Sequence, residues 1–233
     1  VYAETCADKY SFDREAQDAY AIGSLKKAQA AIESGAFASE ITPVEVAQRS
    51  GTVMIDTDEQ PMKARFDKIP QLRPAFKKDG TVTAANASSI SDGAAAVVLM
   101  RQSEATKRGL TPLARIVAHT SHAQEPSEFT MAPIGAIGSL MAKTGWEKDS
   151  VDLFEINEAF AVVPMAAIES LGLDAAKVNV NGGACALGHP IGCSGTRIVV
   201  TLLAALANHG KSRGVASLCI GGGEATALAV ELI

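Results

Sequence analysis

Apolar and polar positions along the chain change their period three times, and each change predicts a different kind of element. In residues 11–35, SFDREAQDAYAIGSLKKAQAAIESG, alanine, leucine and isoleucine recur at helical spacing, acids fill the first turn and a glycine closes it, so a helix is predicted. Residues 36–79 lose that period. They hold four of the nine prolines, mixed charges and one strand-like run at 52–55, and they read as an irregular excursion whose length suggests function or a docking surface. After Gly80 the small polar tract TVTAANASSISDG leads into GAAAVVLM, a continuous apolar run of the buried-strand kind, with a boundary near Ile90. From Pro112 onward strand-like and helix-like runs alternate. The strand LARIVAHTS is followed by the helix GAIGSLMAKTG, the strand VDLFEIN, the helix EAFAVVPMAAIESLG and the strand KVNVN. A glycine-rich turn, the helix TRIVVTLLAALANHG and the strands GVASLCIGGG and ATALAVELI complete the chain. The alternation predicts an α/β fold with its chemistry at the carboxyl ends of strands, where backbone amides face the crevice.

Composition narrows the class. With 233 residues, 47% of them hydrophobic and 20% charged, the chain suits one large globular domain or two small ones. Its richest apolar stretch, residues 198–207, is closed by Asn208, His209 and Lys211, short of the roughly 18 uncharged residues of a membrane span. No membrane partner is expected. Twenty-one basic against 26 acidic residues give a net charge of −5 with no block of like charges, which argues against nucleic acid. Four cysteines, three of them in small-residue apolar segments, fit a reducing compartment, the cytoplasm or an organelle matrix. The chain starts at Val1 with neither an initiator methionine nor a charged-then-apolar leader, so this beginning is not expected to be the native one.

Three clusters carry candidate chemistry. In Asn157-Glu158-Ala159-Phe160 a strand runs into a helix, and Asn157 either caps that helix or uses its amide to hold a water or a substrate carbonyl. The second cluster, GGACALGHPIGCSG at 182–195, packs five glycines and one His-Pro pair into fourteen positions. Pro190 biases His189 away from helical angles and can start the next helix, which would put the imidazole at a positive helix end and keep it neutral. A neutral histidine there can take a proton from a thiol; the alternative is a ring satisfied by backbone in a tight turn. A nucleotide P-loop is disfavoured, because no lysine followed by serine or threonine is present in the turn. In the third cluster Cys219 ends an apolar strand, which suits a small core residue, yet Gly221, Gly222 and Gly223 clear space beside the sulfur and make a pocket-facing thiol plausible. His119 and His122 lie on opposite faces of a strand with no third ligand, so no metal is expected.

The order and spacing of NEAF at 157–160, GHP at 188–190 and CIG at 219–221 resemble the thiolase family. LRPAF at 72–76 and TVTAANAS at 81–88 extend the resemblance to the coenzyme A side. It implies a thiolase-like α/β fold in which 1–90 are most of a loop domain, 91–112 belong to an N-terminal core, and 113–233 are the whole C-terminal core, ending natively at Ile233. It further implies that the nucleophilic cysteine lies in an N-terminal thiolase segment outside this chain, because no cysteine present occupies that position. The apolar GAAAVVLM would then pair in a sheet supplied mainly by that segment, and the chain is not expected to fold or act unaided.

The activity implied is acyl transfer, a reversible condensation of two acetyl-CoA to acetoacetyl-CoA and coenzyme A. His189 would activate the nucleophile, Cys219 would act as acid and base, Asn157 would hold a water at the oxyanion, and the Gly221 amide would serve the tetrahedral intermediate. Ser88, Ala84, Phe76, Phe129 and Phe160 match positions along the pantetheine and acyl tunnel, with Lys63 or Arg65 for the nucleotide phosphates. Coenzyme A thioesters enter as substrates, no tightly bound cofactor is implied, and relatives form dimers and tetramers. Cys185 and Ala85 depart from the family's commonest pattern. The rival readings are a longer-chain 3-ketoacyl-CoA thiolase and a non-catalytic coenzyme A-binding remnant.

Overall fold

The structure is a computed structural model that describes residues 1–49 and 51–233. Its C-terminal half is built on a mixed sheet of β3 (Ala114–Ala123), β4 (Leu153–Ile156), β5 (Arg213–Ile220) and β6 (Glu224–Leu232) in the order β3-β6-β5-β4. β4 and β5 run parallel, whereas β6 is antiparallel to both of its neighbours. Strand alternation splits the side chains between two faces. On one face Phe154, Ile156, Val215, Cys219, Ala225, Ala227 and Ala229 pack beneath α4 (Ala132–Thr144) and α5 (Val162–Leu171). On the other, Leu153, Ala216 and Val230 meet Ile198, Leu202 and Leu206 of α7 (Ser194–Asn208). Gly214 lets α7 come close: a Cβ there would lie 2.8–2.9 Å from the Leu202 side chain.

The N-terminal half wraps this layer. α1 (Tyr2–Tyr10), which periodicity did not reveal, buries Ala3, Cys6 and Ala7 against Val162 and Ala166 of α5. α2 (Arg14–Ser34) agrees with the expected helix; Asp13 caps it by accepting from the Ala16 amide at 2.7 Å, and Gly35 ends it at φ 73°. The excursion contains an antiparallel hairpin of β1 (Val44–Gln48) and β2 (Gly51–Ile55), exposed along both strands. Only the second of these strands was legible. α3 (Gln102–Lys107) and the four-residue α6 (Ala184–Leu187) are minor elements. Among the described residues no helix is long and apolar enough to cross a membrane.

Two expected strands are absent. Among the described residues GAAAVVLM joins no ladder, and Val98 stands 85% exposed, although the sheet ends in two outer strands, β3 and β4. KVNVN makes only one bridge, Val178 to Phe154, since Asn179 turns the backbone to φ 47°. Its side-chain amide mimics a strand neighbour, accepting from the Ile156 amide and donating to the Ile156 carbonyl, both at 2.8 Å.

Candidate active site

The segment 86–90 draws the motifs together. The Ser88 amide and hydroxyl both donate to the Ala159 carbonyl (3.1 and 3.0 Å), the Ala161 amide donates to the Asn86 carbonyl (2.8 Å), and the His189 amide donates to the Ser89 carbonyl (2.9 Å). Residues 157–161 and the glycine-rich turn are thereby laced to opposite sides of one strand-like stretch. Asn157 continues β4 one residue beyond its last pair with β5, its amide donating to the Ser217 carbonyl, so it lies at the sheet end that also carries Cys219.

Asn157 is not a helix cap. α5 starts at Val162 with Ala161 as its N-cap, because Phe160 is bridged to Ala87 and the Ala161 amide is spent on the Asn86 carbonyl before the helix can begin. Asn157 is 1% exposed, and neither its Oδ1 nor its Nδ2 has a hydrogen-bond partner among the described residues. A primary amide buried with all its capacity unspent is costly unless something polar reaches it. His189 is not at a helix cap either: the Cys193 and Ser194 amides close a turn onto the Pro190 carbonyl (2.9 Å each) and delay α7 to Ser194. Its imidazole is held below the ordinary histidine range by burial first and by the Arg197 guanidinium second, not by a helix end. Nδ1 lies 2.6 Å from Ser194 Oγ. Cys219 is buried, and burial pushes its thiol up to about 12. It therefore rests as a thiol, a proton donor first and a base only after giving that proton away.

The cluster is braced by a residue that motif spacing did not single out. Glu158 accepts from Tyr20 Oη (3.1 Å) and Asn179 Nδ2 (2.9 Å) at Oε1, and from Ser24 Oγ (2.7 Å) and the Cys185 amide (3.0 Å) at Oε2. These bonds tie α2 to the glycine-rich turn. Tyr20 and Ser24 are more than 130 positions away in sequence, which is why no local signal revealed the brace.

A cavity of about 430 Å³ opens beside α2, lined by Lys63, Arg65, Lys68, Ala84 and Ala85, with Cys185 on its wall. Lys63 pairs with Glu59, and Arg65 with Asp67 at 3.2 Å, so both cations stand at its rim with exposed carboxylate partners. Lys68 joins them and was not anticipated. Phe76 and Phe160 meet edge to face with centroids 6.2 Å apart and Phe129 packs on Tyr2 and the α4 face of the sheet; none of the three lines the cavity. Gly221 is exposed in the β5–β6 turn.

Glu155, next to the motif on β4, is buried, and that burial pushes its carboxyl up to about 8. Between pH 4.5 and about 8 the unfolded chain carries this charge and the folded chain does not, so its contribution to stability is full below pH 4.5 and is lost as pH rises through 8. Glu155→Gln should therefore leave the melting temperature unchanged at pH 4 and raise it at pH 8.5 by about 10 °C. Parallel melting curves for both proteins at the two pH values test this; identical curves at pH 8.5 count against it.

Residues 110–232 match the family described as thiolase, C-terminal domain, and residues 1–103 match thiolase, N-terminal domain. The chain belongs to the thiolase family. It is 52% identical to an acetyl-CoA acetyltransferase of Thiocystis violacea over 99% of its own length and 59% of that protein's. The crystal structure of the Bacillus anthracis acetyl-CoA acetyltransferase superposes with a TM-score of 0.96 at 44% identity, covering all of this chain and 59% of that one. An Ascaris suum thiolase crystallised in complex with coenzyme A gives 0.88 at 42% identity, again with 100% and 59% coverage. This thiolase chain thus spans about three fifths of the length of the relatives it matches, and the expected thiolase-like α/β fold holds throughout it.

Proposed function

We propose that this chain carries the acid–base half of a thiolase site that interconverts two acetyl-CoA with acetoacetyl-CoA and coenzyme A, the nucleophilic cysteine coming from an N-terminal thiolase segment. The observation that carries the reading is the Asn157 amide, buried and unpartnered at the sheet end that holds Cys219. In thiolysis, His189 takes the proton of the nucleophilic thiol, and the thiolate attacks the ketone carbon of acetoacetyl-CoA. The carbon–carbon bond breaks, and the departing enolate takes the Cys219 proton to become acetyl-CoA. Incoming coenzyme A returns a proton to Cys219, attacks the acyl-enzyme as its thiolate and leaves as the second acetyl-CoA; the freed nucleophile recovers its proton from His189. A thiol held at about 12 is in the right form for the carbon protonation. Asn157, through a water, and the Gly221 amide serve the oxyanions.

The cationic rim supports a coenzyme A thioester as substrate, with Ala84, Ser88, Phe76, Phe160 and Phe129 along the pantetheine and acyl path. Loop domain at 1–90, N-terminal core element at 91–112 and C-terminal core at 113–233 is the proposed division, and the exposed Val97–Met100 run suits an element whose sheet lies in the N-terminal segment. We place the assembled enzyme in the cytoplasm or an organelle matrix as a dimer or tetramer. The test is turnover of acetoacetyl-CoA and 3-ketooctanoyl-CoA by the chain assembled with a nucleophile-bearing segment. Faster turnover of the short substrate supports the reading, a preference for the long one favours the longer-chain rival, and turnover of neither leaves a binding remnant. Neutralising Lys63, Arg65 and Lys68 together should raise KM for acetoacetyl-CoA about tenfold, at ~1 kcal/mol or less per exposed cation, and leave acetoacetyl-pantetheine, which lacks the nucleotide, unaffected. An equal change for both substrates would remove these cations from the nucleotide site.

A further inference from the structure

We infer that Ser194 is the positioning residue that sets the tautomer of His189, fixing the proton on Nδ1 and leaving the Nε2 lone pair as the base. Three groups within a six-residue segment decide this. Ser194 Oγ lies 3.0 Å from the Pro190 carbonyl oxygen and 2.6 Å from His189 Nδ1. The hydroxyl has one proton. Were it directed at the imidazole, Oγ and the carbonyl oxygen would face each other across 3.0 Å with no hydrogen between them. Serine at the start of α7 instead makes the bond to the carbonyl four residues back that helical serines favour, so its proton lies on Pro190. Oγ then has only lone pairs to offer, and the short contact with Nδ1 requires that the ring nitrogen donate.

Ser194 is 1% exposed, so water does not replace it. The Pro190 carbonyl also accepts from the Cys193 and Ser194 amides, which holds that end of the relay in place. The ring is thereby oriented by one nitrogen and reactive at the other. When Nε2 takes a proton, the Nδ1–H bond to Ser194 is kept and strengthened by the charge, so the imidazolium forms without reorientation. The inference rests on the proposed role of His189, but it concerns a proton position that is observable without turnover.

The experiment is long-range ¹H–¹⁵N correlation of the imidazoles in the assembled protein at pH 8, with His189 assigned by loss of its signals in His189→Asn. The expected spectrum shows Nδ1 protonated and Nε2 unprotonated. Ser194→Ala should move the pair toward the Nε2–H form and lower kcat roughly 10²-fold with KM little changed, whereas Ser194→Thr, which keeps the hydroxyl, should restore both. An unprotonated Nδ1 in the wild-type protein overturns the inference whatever the variants do. Absence of turnover in a wild-type protein that shows the expected tautomer would instead overturn the proposed function and leave the assignment of the proton standing.

Discussion

Alanine at Cys219 or at His189 should abolish acetoacetyl-CoA thiolysis in the assembled enzyme, lowering kcat by about 10³-fold or more, while the melting temperature moves only slightly. Cys219 contributes one sulfur to the packed face beneath α4 and α5, so trimming it leaves a small gap. His189 is half-buried in a turn held by its own amide on Ser89 and by the bonds onto Pro190, and those backbone bonds survive the loss of the ring. The two variants should fail at different steps. Without His189 the nucleophile keeps its proton and no acetyl-enzyme accumulates from acetyl-CoA. Without Cys219 the nucleophile is still activated and coenzyme A can depart as its thiolate and take a proton from water, so an acetyl-enzyme still forms, more slowly, but no group protonates the carbon in thiolysis. Intact mass measurement after mixing with acetyl-CoA separates the two cases, and near-normal turnover in either variant would sink the assignment.

Breaking the Glu158 brace is expected to have the largest effect on stability. Alanine at 158 strands the Tyr20 and Ser24 hydroxyls, the Asn179 amide and the Cys185 N–H in a dry interior, at a combined cost of about 3–5 kcal/mol. For a chain of this size that corresponds to a fall in melting temperature of about 10 °C. Gly183→Ala attacks the brace from the other side. Its backbone is extended at φ −148°, so conformation is no obstacle, but a Cβ would sit 2.3 Å from the Glu158 carboxyl carbon. Either the carboxylate or the glycine-rich turn must then move, and the loss should approach that of Glu158→Ala. Thermal melts of both variants and of the double variant test this: strong non-additivity is expected, and a change of only a degree or so in Glu158→Ala would remove the brace from the account.

Much of the fold, and the residues offered for a site, were legible in the chain itself. Period located α2, α4 and α7, which bury one face and so repeat at helical spacing, and short apolar runs marked β4, β5 and β6, whose two faces are both covered. The Asn157, His189 and Cys219 clusters stood out because residues that break those periods gather at element ends. The relay through Ser194 was also within reach, since histidine and serine lie five apart in one turn. Other features were not. α1 is too short for its apolar face to be distinctive, and β1 lies exposed on both faces with only Val44-Glu45-Val46 in alternation. KVNVN has the composition of a strand, but a left-handed Asn179 ends it after one bridge, because its side chain binds Ile156 and Glu158 better than its backbone could extend the sheet.

What the chain by itself determined is therefore the α/β class, the element order across the C-terminal half and the residue types offered for acid–base work, all consequences of local period and of side chains that suit element ends. Only the tertiary structure decided that Asn157 is an unspent amide and not a cap, that His189 is kept neutral by burial and Arg197 and not by a helix end, and that GAAAVVLM lies bare. Each of these depends on what reaches a residue from far along the chain. Burial, unmet hydrogen-bonding capacity and a missing strand partner are properties of the surroundings, and periodicity carries no record of them.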